Sequence, residues 1–160
     1  MMYTSLFDSM PYPDYERLLS GYKPQKGRSF LSNANTDTIH IPSCFIHEIT
    51  INGNMSYIKV ELFDDPPSQH WFTGLSKHIG EQMATRLAVP TLTVYRPNYD
   101  SSRHVLKLKI KQQINMSDMN IGDCVSVTLR LGCAWNCSGK YGISFEIRSI
   151  QPSAAVVSAV

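Results

Sequence analysis

Residues 44–63 read CFIHEITINGNMSYIKVELF. Two runs of alternating apolar residues flank Asn52-Gly53. Asn-Gly accepts the positive φ angles of a tight type I′ turn, so the stretch reads as a β-hairpin. In its second half Ile58, Val60 and Leu62 fall on one face, with Tyr57, Lys59 and Glu61 on the other. Such a hairpin needs a core to cover its apolar face.

The chain beyond it supplies that core. Pro66 and Pro67 cannot join a ladder and stop the strand. Ser68 is placed to cap a helix. Trp71, Leu75, Ile79 and Met83 recur every fourth residue with Phe72 beside them, the core-facing stripe of an amphipathic helix over about residues 69–87. His70 and His78 fall on its surface. Pro90 ends it. TLTVYRP (91–97) is a short strand, PNYDSSR (97–103) a loop and 104–112 a strand. A turn-rich stretch (114–123) leads to the strand CVSVTLRLG (124–132). CAWNCSGKYG (133–142) is a glycine-bearing hairpin loop exposing Trp135, and YGISFEIRSI (141–150) is the last strand, broken by Gln151-Pro152. About six short strands and one helix predict a mainly β chain, a small closed or nearly closed barrel plugged by the helix.

Outside this barrel, residues 1–36 form an arm, broken by Pro11, Pro13, Pro24 and Gly27. Its segment DYERLLS (14–20) suits one or two helical turns, and its tyrosines and leucines suit docking on its own domain or on a neighbour. SAAVVSAV (153–160) is an uncharged tail, loose or paired with an edge. The expected division is arm 1–36, barrel 37–152 and tail 153–160.

The formal net charge is only +2, but its placement is uneven. The span 96–148 holds eight basic and four acidic residues, leaving seven and nine elsewhere. Local charge, not the total, decides what a surface attracts. Within that span HVLKLKIK (104–111) alternates: Leu106, Leu108 and Ile110 face the interior, and Lys107, Lys109 and Lys111 stand outside, roughly 7 Å apart. Like charges so close repel. Either they guard an exposed edge or they form a rail for phosphates. A single-strand binder also needs flat rings for bases. Tyr57 and Lys59, Tyr95 and Arg96, Tyr99 and Arg103, then Arg130, Trp135, Lys140 and Tyr141 interleave aromatics with cations around the lysine strand.

The order of motifs over 58–150 resembles a known family. A helix precedes Tyr95-Arg96-Pro97 and then the strand carrying Lys107, Lys109 and Lys111. A turn with Asp118 and Gly122-Asp123 follows, then Ala134-Trp135 and Tyr141-Gly142-Ile-Ser-Phe. This is similar to the OB-fold single-stranded DNA-binding proteins of large DNA viruses and some phages. The resemblance implies an OB-like barrel and a replication or recombination accessory that coats unwound strands. It also implies that Tyr95, Arg96, Lys107, Lys109, Lys111, Trp135 and Tyr141 face nucleic acid. The tail lacks the acidic cluster by which many such proteins recruit partners. The helix follows a hairpin, whereas an OB barrel places it between the third and fourth strands.

Other functions fit less well. Ser138-Gly139-Lys140-Tyr141 has the Gly-Lys pair of a P-loop but neither its upstream glycine nor a following Ser/Thr, and no G-x-S-x-G or H-E-x-x-H occurs. Asp64-Asp65 runs into two prolines and reads as a loop. Cys133 and Cys137 have C-x3-C spacing, but Cys44 and Cys124 are isolated, so free thiols are favoured over zinc. No enzyme activity, metal or cofactor is expected. No apolar run is long enough to span a membrane, and MMYTSLFDSMPYPDYE does not read as a signal peptide. The expected location is therefore the cytoplasm or nucleus of a host. The expected partner is single-stranded nucleic acid, DNA before RNA, with self-association through the arms and replication proteins as further partners. The rival is a virion or assembly protein whose basic strand and arms contact other subunits.

Overall fold

In the computed structural model, residues 12–24, 30–63, 65–111 and 113–153 are described. The first eleven residues and the tail from 154 onward, with the edge pairing expected of it, lie outside the described residues, as do Asp64 and the last residue of the 104–112 strand.

The hairpin forms from β2 (Ile39–Thr50) and β3 (Tyr57–Glu61). For this numbering, β1 is the short Phe30–Leu31 strand and α1 the helix Tyr15–Leu19 that precede them. Alternation in β3 is as expected: Ile58 and Val60 are fully buried, and Tyr57, Lys59 and Glu61 are half-buried on the other face. The turn differs from expectation. Asn52 has φ −150°, Gly53 opens a 3-10 turn (Gly53–Met55), and strand pairing resumes only at Thr50↔Tyr57. Two consecutive positive φ angles, which a type I′ turn requires, occur instead at Ser138 (53°) and Gly139 (76°). They join β7 (Cys124–Cys137) to β8 (Lys140–Pro152).

The residues expected as a loop at 133–142 are thus mostly strand. β7 passes Gly132 through a register shift between Leu131 and Ala134 and continues to Cys137. Trp135 sits on a strand rather than at a tip. β8 likewise runs through Gln151 to Pro152, whose missing N–H matters little at the last ladder position.

Helix α2 spans Pro66–Arg86. The two prolines that stop β3 occupy its first turn, where a backbone N–H is not needed. Asp65, not Ser68, is the N-cap; its carboxylate accepts from the Ser68 N–H at 3.2 Å. Phe72, Leu75, Ile79 and Met83 point into the core. Trp71 is half-buried against the same core and stacks on Tyr12 with ring centroids 4.5 Å apart.

After α2 come β4 (Val94–Tyr95), β5 (Tyr99–Asp100) and β6 (Val105–Lys109). β5 falls in the expected loop 97–103 and pairs with β6. The ring of paired strands runs β2-β3-β6-β8-β7 and returns to β2. This is a closed five-stranded barrel, a small OB-like barrel, in which β6 and β8 are the parallel pair. α2 enters between the second and third barrel strands and plugs one end. There Phe72 meets Tyr99 (5.8 Å) and Phe145 (6.5 Å). Burying a ring this completely contributes about 1.5–3 kcal/mol.

The described part of the arm packs on its own domain. Leu18, Leu19 and Tyr22 are buried. The Tyr15 hydroxyl donates to the Trp71 carbonyl at 2.7 Å, and the Tyr22 hydroxyl donates to the Gly132 carbonyl. β1 then adds to the outer side of β7.

Candidate functional site

Alternation fixes what stands outside the barrel. On β3 it is Tyr57, Lys59 and Glu61, and on β6 it is Lys107 and Lys109. The two strands are antiparallel with Tyr57 opposite Lys109 and Lys59 opposite Lys107. Two ammonium groups therefore face each other across one rung, an arrangement that costs stability in a sheet. Little offsets it locally. Glu48 reaches Lys59 at 3.8 Å. Among the described residues no carboxylate lies within ion-pair distance of Lys107 or Lys109. The Lys107 ammonium instead sits 4.3 Å from the Tyr57 ring centroid, a contact that contributes about 0.5–1 kcal/mol at an exposed site.

On the β8 side of β6 the face drops into a cleft. Tyr57, Lys107, Lys109 and Trp135 line it with Met55, Ser56, Asn98, Ser144 and Phe145. Trp135 lies across its register partner Gly142. A methyl group at Gly142 would stand 3.0 Å from the indole and 2.8 Å from the Arg96 carbonyl. The glycine's missing side chain is what lets the ring lie against β8. Asn98 ties the cleft together: its side-chain amide donates to the Ile143 carbonyl, and its own carbonyl accepts from the Lys107 N–H at 2.8 Å. A second depression adjoins through Asn98 and Lys107. Lys59, Arg96, Arg103, His47 and Asp100 border it. Together the two form one surface that carries Lys59, Arg96, Arg103, Lys107 and Lys109, with the rings of Tyr57 and Trp135 in its first part and Glu48 and Asp100 in its second.

Seven of the expected residues come together here: Tyr57, Lys59, Arg96, Arg103, Lys107, Lys109 and Trp135. The other six do not stand open on it, although Tyr99 lines the second depression. Tyr141 is 6% exposed and shares the inner face with Ile143 and Phe145; its hydroxyl donates to the Gly80 carbonyl of α2 at 2.7 Å. Tyr95 packs on Tyr141 at 5.4 Å and lies 3.2 Å from the Ser76 hydroxyl, and burial pushes its phenol up to about 12. Tyr99 is 3% exposed, its ring turned toward Phe72. All three pack at the contact between barrel and helix rather than standing open on the outer face. Lys111 is engaged elsewhere. It ion-pairs with Glu146 at 3.2 Å, and the two side chains are 35% and 10% exposed. Arg130 turns toward the arm and donates to the Asn33 carbonyl at 3.3 Å. Lys140 stands exposed at the β7–β8 tip, apart from the cleft.

Sequence reasoning missed Met55, Ser56, Asn98, Ser144 and Phe145. Ser144 was legible, since it alternates with inward Ile143 and Phe145. Asn98 carried no local signal, because its partners come from β6 and β8.

Cys133 and Cys137 are exposed free thiols and Cys44 is buried, where burial raises its thiol to about 12. Among the described residues no group of three or more His, Cys, Asp or Glu side chains is placed to hold a metal ion, and no helix is long and apolar enough to cross a membrane. Comparison of the chain with protein-family models, curated proteins and solved structures returned no match.

Proposed function

We propose that the chain binds single-stranded nucleic acid, DNA before RNA, as a non-catalytic accessory of replication or recombination. The observation that carries this reading is the juxtaposition of Lys59, Lys107 and Lys109, two of them without a carboxylate partner among the described residues, with the rings of Tyr57 and Trp135. The row opposes folding, so its benefit must come from something it attracts. Phosphates bring the charge, and unpaired bases bring flat faces for the rings, each stack contributing about 1–3 kcal/mol. A duplex hides those faces. In the free protein Lys107 covers Tyr57; on binding, its ammonium swings to a phosphate and a base takes its place.

The edge-protection explanation of the lysines loses support because β6 is an interior member of a closed barrel, paired with β3 and β8. The assembly reading keeps one observation in its favour. Phe45 and Phe63 are exposed and touch edge to face at 6.0 Å, away from the cleft. Anisotropy of a labelled single-stranded oligomer at low salt separates the two. Saturable binding that weakens steeply as salt rises supports the nucleic-acid reading. No binding at low salt transfers the case to assembly.

A further inference from the structure

Trp135 lines the cleft, and the aromatic surface continues past it onto β1. β1 pairs with β7 in the register Phe30↔Trp135 and Leu31↔Ala134. Leu31 and Ala134 are buried, so Phe30 and Trp135 share the outer face. Residues directly opposite in an antiparallel pair have Cβ atoms about 5 Å apart. Phe30 is 60% exposed and makes no ring contact with another described aromatic. An open ring at a sheet edge, directly beside a ring that borders the cleft, is a second flat face within reach of a strand bound there. A cation stands beside it. Lys23 and Phe30 line one shallow depression with Ser32 and Asn33, and the sequence KPQKGRSF (23–30) that leads into β1 contains three basic residues and no acid.

We propose that Phe30 and Lys23 extend the single-strand path beyond the barrel: a strand leaving the cleft over Trp135 stacks its next base on Phe30, and Lys23 takes the adjoining phosphate. The arm thereby contributes a binding residue of its own, in addition to packing on α2. This rests on the single-strand reading above. It makes affinity depend on probe length in a way the cleft alone does not.

The test compares wild type, Phe30→Ala, Phe30→Tyr and Lys23→Ala on oligothymidylates of about four and about twelve nucleotides, within the range one OB fold occupies. With the longer probe Phe30→Ala weakens binding about 5-fold or more, Phe30→Tyr binds as wild type, and Lys23→Ala lowers the slope of log affinity against log salt by about 0.7. With the shorter probe all four proteins bind alike. Thermal melting is unchanged, because the Phe30 ring is exposed. If wild type binds and Phe30→Ala matches it at both lengths, or loses equally at both, the extension is refuted while the cleft stands. If wild type binds neither probe, the underlying reading falls with it.

Discussion

Replacing Lys107 and Lys109 together by alanine removes the two cations of the cleft that have no carboxylate partner among the described residues. The surface described above presents five cations, Lys59, Arg96, Arg103, Lys107 and Lys109. Each phosphate contact on a single strand contributes about −0.7 to the slope of log affinity against log salt. Five contacts give a slope of about −3.5, or roughly a hundredfold loss between about 50 and 200 mM salt. The double variant keeps three contacts and a slope of about −2, a loss of roughly 20-fold over the same range. Folding is unaffected or slightly improved, because Lys107 no longer opposes Lys59 across the β3–β6 rung. Anisotropy at several salt concentrations, with thermal melts of both proteins, checks every part of this. An unchanged slope in a well-folded double variant would refute the phosphate rail, whatever happened to affinity at a single salt concentration.

Three further outcomes are expected. Lys111→Ala leaves the salt slope unchanged but lowers stability by about 1–3 kcal/mol in denaturant melts, since Glu146 loses its counter-charge in a mostly buried position; solvent access at Lys111 keeps this below the cost of a fully buried pair. Gly142→Ala forces the new methyl against the Arg96 carbonyl and the indole of Trp135, costing about 1–3 kcal/mol and weakening oligonucleotide binding, as read by melting and anisotropy. Burial raises the Tyr95 phenol from its ordinary 10.0 to about 12. The folded chain therefore holds its proton where the unfolded chain has lost it. Stability carried by this group is fully present below pH 10 and declines as pH rises from about 10 to about 12; in Tyr95→Phe, melts over that range show a shallower decline.

Periodicity made the barrel legible before its site. Alternation in β3 and β6 and the spacing of Phe72, Leu75, Ile79 and Met83 are local signals, and burial in the fold obeys them. Turn chemistry was less decisive. Asn52-Gly53 is a stronger turn signal than Ser138-Gly139, yet the latter takes the two positive φ angles, because β7 and β8 remain paired up to Cys137↔Lys140 and leave only two residues to close the loop. For Tyr141, strand parity and family resemblance disagreed. Parity with Ile143 and Phe145 puts the ring inside, and parity prevails because the inner face must cover α2. Tyr95 and Tyr99 lie on two-residue strands, too short to show any alternation. Lys111 looked identical to Lys107 and Lys109 in sequence. Its difference is Glu146, delivered by a parallel strand 35 residues later, and no local pattern announces that pairing.

Photo-crosslinking of a 5-iododeoxyuridine oligonucleotide to the intact protein, followed by peptide mass spectrometry, tests the placement of the bound strand most directly. Adducts concentrated on Tyr57 and Trp135, suppressed by added salt, are predicted. Adducts on Trp71 and Tyr12, which stack on each other near the start of α2 and line neither depression, or none on the lysine face, would contradict it.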